Sequence, residues 1–462
     1  MTLAPREPCD LLIRDAVILT VDATDTVIDR GAVAIRNGRI AGVGPDAIVA
    51  SRYDARRVIY AGGSTVHPGF IDAHVHISQY TSRSVLARMQ GTMATMGDWK
   101  SELTPEDEHA SAALASVDYL KSGYTAVVDP GTIFEPDAVA AAAQELNIRL
   151  WLTDSYVADL GPALAQKYPE LANERFLARW PQNHAAALRR LGSQLFRNRA
   201  PESLVRAFIG LYGEGTDSDE LFRSALALAR ANGVRVQKHL GYSPAVYREQ
   251  EAVLGLPMME HLRSDGLLDP CVTFVHMNLV RQDEIPVMAA HGVRVVWCPY
   301  GQLQMIGRTG AEARMPELWR AGVHVGIGSD IARITHVAAL GTLATAAAAA
   351  SGFAASGKEI LRARTMGSAG SVGAESDVGS IEVGKRADIV VRKAHASECL
   401  GHDHALEAGV IAGPDSVATV IVNGRVVVEG GELLTGDEHT IVARAHDSAR
   451  RLWKRVSEAR AR

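Results

Sequence analysis

Two histidines one residue apart, His74 and His76, close the run HPGFIDAHVH at residues 67–76. Along a strand, residues i and i+2 share a face. Both imidazoles therefore point the same way, and two neutral imidazoles side by side make a bidentate seat for a divalent transition metal. Three later β-type runs also end in a metal-capable side chain: VRVQKH at His239, VTFVH at His276 and VGIGSD at Asp330. Any one of these alone reads equally well as a satisfied histidine or a helix-capping aspartate. Four strand ends carrying His-x-His, His, His and Asp in one chain are much harder to obtain by chance.

Such residues act together only if the fold converges them. From about residue 67 to 376 the chain alternates strand and helix patterns. The expected strands are Phe70–His76, Thr125–Asp129, Arg149–Ser155, Val205–Tyr212, Val234–His239, Val272–His276, Val293–Cys298 and Val323–Asp330. Several helices end in Gly just before the next strand (Gly123, Gly233, Gly292, Gly322), where the left-handed C-cap favours it. Eight such units in an α/β chain predict a (β/α)8 TIM barrel, whose strands meet at their C-terminal ends. The helix-rich stretch at 157–204 has the length to cover the mouth. Both chain ends read instead as short strands with Asn37-Gly38 and Asn423-Gly424 as hairpin turns. The expected organisation is a composite β-sandwich from residues 1–66 plus 377–440, a metal-dependent barrel at 67–376, and a C-terminal helix at 441–462.

Composition narrows the function classes. The 462 residues are 47% hydrophobic and 22% charged, with 48 basic and 53 acidic side chains and a net charge of −5. That is the balance of a globular protein with a large core, and a poor one for coating nucleic acid or an anionic membrane. Cys9, Cys271, Cys298 and Cys399 form no CxxC pair and read as free thiols. No secretory leader is visible, and the alanine-rich stretch 339–357 reads as a buried helix, so a cytoplasmic location is expected. Neither a phosphate-binding glycine loop nor a GxSxG nucleophile elbow is present.

With these residues in view, the chain resembles the amidohydrolase superfamily over nearly its whole length: the HPGFIDAHVH segment, the split β domain, and the return segment GSIEVGKRADIVV (379–391) with TVIVNGRVVV (419–428). It is most similar to the branch of cytosine and triazine deaminases and chlorohydrolases, which supplies no bridging lysine from the fourth strand; VRAFIGLY has none. The resemblance implies one divalent metal, zinc or cobalt foremost with iron or manganese as options, held by His74, His76, His239 and Asp330. Asp330 would deprotonate the attacking water, with His276 as orienting partner or alternative base. One departure stands out. Deaminases of this branch carry a glutamate three residues after the fifth-strand histidine, and here Tyr242 stands there. The segment after Asp330 also lacks their asparagine. Within the branch the pattern most resembles the molinate and phenylurea hydrolases, so the first expectation is cleavage of a thiocarbamate, carbamate or urea bond. Deamination of an aminated heterocycle is the alternative, amide or dipeptide hydrolysis shares the same site, and a metal-free scaffold barrel is the alternative of another class.

Barrel enzymes place substrate contacts on the loops after the strands. The candidates are Gln79, Tyr80, Tyr212, Tyr242, Tyr300, Gln302, Arg333 and His336, with Glu214 beside Tyr212. Met89, Met93, Met96 and Trp99 in the long first loop suit a fairly apolar small molecule. A homo-oligomer is expected, with neither nucleic acid nor membrane as partner.

Overall fold

A computed structural model describes residues 5–83, 93–167, 173–309, 314–331, 336–393, 397 and 399–461. The N-terminal strands are β1 (Glu7–Leu19), β2 (Val27–Arg36), β3 (Arg39–Pro45), β4 (Tyr53–Tyr60) and β5 (Thr65–Pro68). Those of the C-terminal segment, numbered in chain order, are β15 (Ile389–Arg392), β16 (Val417–Val422), β17 (Arg425–Glu429) and β18 (Glu432–Leu433). All nine pair in one continuous sheet, where the sequence predicts a two-sheet sandwich. The reason is β5, which pairs in parallel with β1 and antiparallel with β15, stitching the two chain ends together. Ile13, Val33, Ile35, Val66, Ile389 and Ile421 share one buried cluster. Both hairpin turns form as expected, with positive φ at Asn37, Gly38, Asn423 and Gly424. They also abut: a side chain on Gly424 would meet the Gly38 Cα at 2.7 Å, so glycine is needed for the approach as well as the turn.

The middle holds two parallel sheets. One comprises β6 (Phe70–Asp72), β7 (Tyr124–Val128), β8 (Arg149–Leu152) and β9 (Val205–Ala207); the other comprises β10 (Ile209–Leu211), β11 (Val236–Leu240), β12 (Val272–His276), β13 (Arg294–Trp297) and β14 (His324–Ile327). The expected fourth strand is thus divided at Phe208, whose N–H bonds Leu152 O at 3.1 Å in one sheet. The next residue, Ile209, bonds Arg235 O at 3.0 Å in the other. At the opposite edges, Ala73 N–H donates to Ile327 O at 3.0 Å and Asp330 N–H to His74 O at 2.8 Å. Regular pairing in β6 and β14 stops at Asp72 and Ile327, short of the expected ends. The metal-capable residues lie just beyond, where Val75 and Asp330 form an isolated parallel bridge.

Two elements outside the strands matter for the site. Helix Met93–Ser101 lies in the first loop. The C-terminal helix runs from Glu438 to Arg460, capped by Asp437, and buries Ala445, Ser448, Leu452 and Val456 at helical spacing. Leu452 and Val456 pack with Trp99 and Leu103, and Arg460 Nε bonds Asp98 at 2.8 Å. The last helix thereby fixes the first-loop helix. No helix among the described residues is long and apolar enough to cross a membrane.

Candidate metal centre

The strand ends bring His74, His76, His239, His276 and Asp330 together. His74 Nε2 lies 3.2 Å from His239 Nε2, and His76 Nε2 lies 2.9 Å from Asp330 Oδ1. Two triplets, His74/His76/His239 and His74/His276/Asp330, each present one ligand atom per residue within 4.8 Å of one another. The four imidazoles are buried. His276 and Asp330 both adopt positive φ (79° and 62°), a backbone state that non-glycine residues seldom hold without tertiary support.

Neighbours fix how the rings face. His74 Nδ1–H donates to Gln237 Oε1 at 3.3 Å, while Gln237 Nε2 is held by Ala73 O at 3.1 Å. His76 Nδ1 pairs with Thr132 Oγ1 at 2.7 Å, and the Thr132 N–H is itself held by Asp129. With Nδ1 so engaged, Nε2 of each ring is left to face the cluster, the arrangement that metal-binding histidines use. Asp72 ties the first and last strand ends together, accepting from His74 N–H, Ser329 N–H and the Tyr119 hydroxyl. Burial lifts its carboxyl to about 6.

Electrostatics match this donor set. Burial, reinforced by neighbouring imidazoles, pushes His74 and His239 well below the ordinary histidine range. Burial takes His276 down to about 4, against the pull of Asp330. For Asp330, burial favours the protonated acid. The hydrogen bond from His76 and the three imidazoles facing it outweigh that and hold the carboxyl far below the usual range. Neutral imidazoles with an ionised carboxylate are the protonation states that ligate a divalent transition metal. Three nitrogens and one oxygen suit zinc, cobalt, iron or manganese. The residues present fit such an ion.

The substrate-wall candidates divide. Tyr212 sits 5.7 Å from His239, ring centre to ring centre, and Tyr242 lies 5.2 Å from His276. Gln79, in the turn after His76, is buried with neither amide atom partnered among the described residues. Others face elsewhere. Tyr80 donates to Asp118 at 2.8 Å beneath Arg83, because one step along the turn from Gln79 reverses its direction. Gln302 accepts from Trp297 Nε1 and donates to Ser351 Oγ, so its helix turns it into the core. His336 is exposed and caps Ala338 N–H. Tyr300 pairs with Gln304 at 3.1 Å. Arg333 and Met89 lie outside the described residues, as do the side chains of Met93 and Met96.

Sequence reasoning missed Asp72, Thr132 and Gln237, which brace the clustered histidines without resembling them. The alternation of β11 contained a signal for Gln237, since it shares a face with His239 two residues on. It also passed over an aromatic cluster of Phe134, Tyr156, Phe176 and Trp180 that continues through Tyr212. Glu214, expected only as a neighbour of Tyr212 on the loop, turns back to the backbone. Its buried carboxylate accepts Gly241 N–H at 2.6 Å and Ser243 N–H at 2.9 Å, bracketing Tyr242, and burial raises it to about 7.

Comparison with known proteins agrees with this geometry. The profile of the Amidohydrolase family matches residues 65–427. The chain is 28% identical over 456 residues to a 5-methylthioadenosine/S-adenosylhomocysteine deaminase of Desulforudis audaxviator, covering 96% of this chain and 100% of that one. A 5'-deoxyadenosine deaminase of Methanosarcina mazei is 24% identical, covering 97% and 99%. Among solved structures, an adenosine deaminase from Xanthomonas campestris with bound zinc superposes with a TM-score of 0.82 at 25% identity, covering 97% and 100%. A point mutant of atrazine chlorohydrolase from Arthrobacter aurescens TC1, complexed with zinc and atraton, gives 0.79 at 24%, covering 95% and 100%, a likeness of fold. This chain belongs to the amidohydrolase family.

Proposed function

We propose that this enzyme hydrolytically deaminates an aminated heterocycle, using one divalent metal held by His74, His76, His239 and Asp330. The observation that carries the reading is the convergence of those four side chains in a chain that aligns end to end with purine-nucleoside deaminases. It supports deamination over the thiocarbamate, carbamate or urea cleavage expected from sequence. A bound divalent cation supplies Lewis acidity that makes water a nucleophile near neutral pH. Asp330, ionised and 2.9 Å from His76, accepts the proton of the attacking water and returns it to the departing amine. His276, neutral at physiological pH, offers a hydrogen bond to the atom that gains negative charge. Tyr212 and Tyr242 flank the reacting centre and exclude water.

The two parallel sheets are read as one eight-stranded barrel, supported by the hydrogen bonds at Phe208 and Ile209 and between Ala73 and Ile327. The domain limits follow the sequence reading: 1–66 plus 377–440, 67–376, and 441–462.

Tyr242 in place of an acid favours a second reading, hydrolysis of a carbamate or thiocarbamate, whose leaving group needs less protonation. A screen of metal-reconstituted enzyme separates the two. It would test 5'-deoxyadenosine, methylthioadenosine, aminated triazines, carbamates, thiocarbamates and phenylureas, scoring ammonia, amine and thiol separately. Ammonia from a ring substrate is expected; thiol or amine from carbamates with no ammonia from any ring transfers the assignment to the second reading.

A further inference from the structure

Lys100 stands in the first-loop helix with its side chain inside the protein, 2% exposed. Its ammonium makes no hydrogen bond or ion pair with any described residue; its neighbours are the faces of Tyr156 (5.1 Å to the ring centre) and Phe176 (5.7 Å). A buried cation with no acceptor among the described residues is costly there, and aromatic faces offset only part of that cost. Burial brings its pKa down to about 7, against the pull of Asp129, Asp330 and Glu108. Two of those carboxylates are bound to other groups. Asp129 accepts Ile77, Gly131 and Thr132 N–H, and Glu108 accepts Phe134 and Glu135 N–H.

The surroundings are short of acceptors too. Tyr156 Oη and Trp180 Nε1 are buried without a partner among the described residues, and Tyr156 stacks on Tyr212 (5.4 Å), which leads to His239. Aromatic surface and uncommitted donors therefore run from the metal ligands to Lys100.

We propose that Lys100 is a specificity residue that receives a carboxylate on the substrate, so that the enzyme acts on a planar ring bearing an acidic substituent at the end away from the metal ligands. The substrate class rests on the deaminase reading, whereas the anion contact does not. Binding of 2-naphthoate and its neutral analogue 2-naphthamide to the metal-loaded enzyme, followed by calorimetry, separates them because neither probe can be deaminated. Wild-type enzyme is expected to prefer the carboxylate by about tenfold or more; Lys100→Met abolishes the preference and Lys100→Arg keeps part of it. Equal affinities in the wild type overturn the proposal whether or not the variants fold. A preference that survives Lys100→Met assigns the anion to the metal and overturns it as well. If the preference behaves as expected but no ring substrate yields ammonia, the anion contact stands and the deaminase reading falls.

Discussion

The histidine–aspartate cluster and the aromatic wall around Lys100 lie side by side and are built in opposite ways. In the cluster each group comes from a strand end, the second nitrogens of His74 and His76 are committed to Gln237 and Thr132, and protonation states suit a metal. In the wall the rings come from loops and short helices, and Tyr156 Oη and Trp180 Nε1 have no hydrogen-bond partner among the described residues. The comparison teaches a division of labour: the cluster is prepared before the substrate arrives, while the wall is completed by it.

Breaking the cluster has the largest effect. Asp330→Asn removes the group proposed as proton acceptor and as one ligand, so turnover of any substrate found falls by about 10³-fold or more. Steady-state kinetics on protein of unchanged circular dichroism checks this. Gln237→Leu leaves all four proposed ligands but frees the His74 ring, and metal affinity drops about 10–100-fold, as is usual for outer partners of ligating histidines; competition with a chelator measures it.

The wall responds through stability. Leu452→Ala opens a gap under the first-loop helix and costs about 2–5 kcal/mol in denaturant unfolding, while the metal content of the folded protein stays constant. Glu108 gives the smallest effect, through pH. Burial raises its carboxyl from 4.5 to about 7, so between those values the native state holds a proton that the unfolded chain has released. Its contribution to stability is therefore full at low pH and is lost as pH rises through 7, by about 1–3 kcal/mol. Melting at pH 5 and pH 8 should show Glu108→Gln gaining on the wild type at the higher pH; a constant difference contradicts the assignment.

The same contrast explains what the amino-acid sequence disclosed. Strand periodicity and glycine caps are local, so the eight β/α units, both hairpin turns and all five cluster residues could be read in advance. The joining of both termini into one sheet depends on β5 pairing twice, which no local pattern encodes. Tyr80 and Gln302 were misplaced because loop residues have no fixed period, and one step along a turn exchanges site for core. Lys100 gave no sign at all: the rings it is buried against, Tyr156 and Phe176, lie more than 50 positions away.

The central claim is that four separated stretches of backbone hold one divalent ion. Elemental analysis after metal loading and desalting tests it most directly, on wild type beside His74→Ala and His239→Ala. The account predicts about one ion per wild-type chain and almost none in either variant, with secondary structure intact. Wild-type protein that retains no metal, or variants that retain as much as wild type, would contradict it.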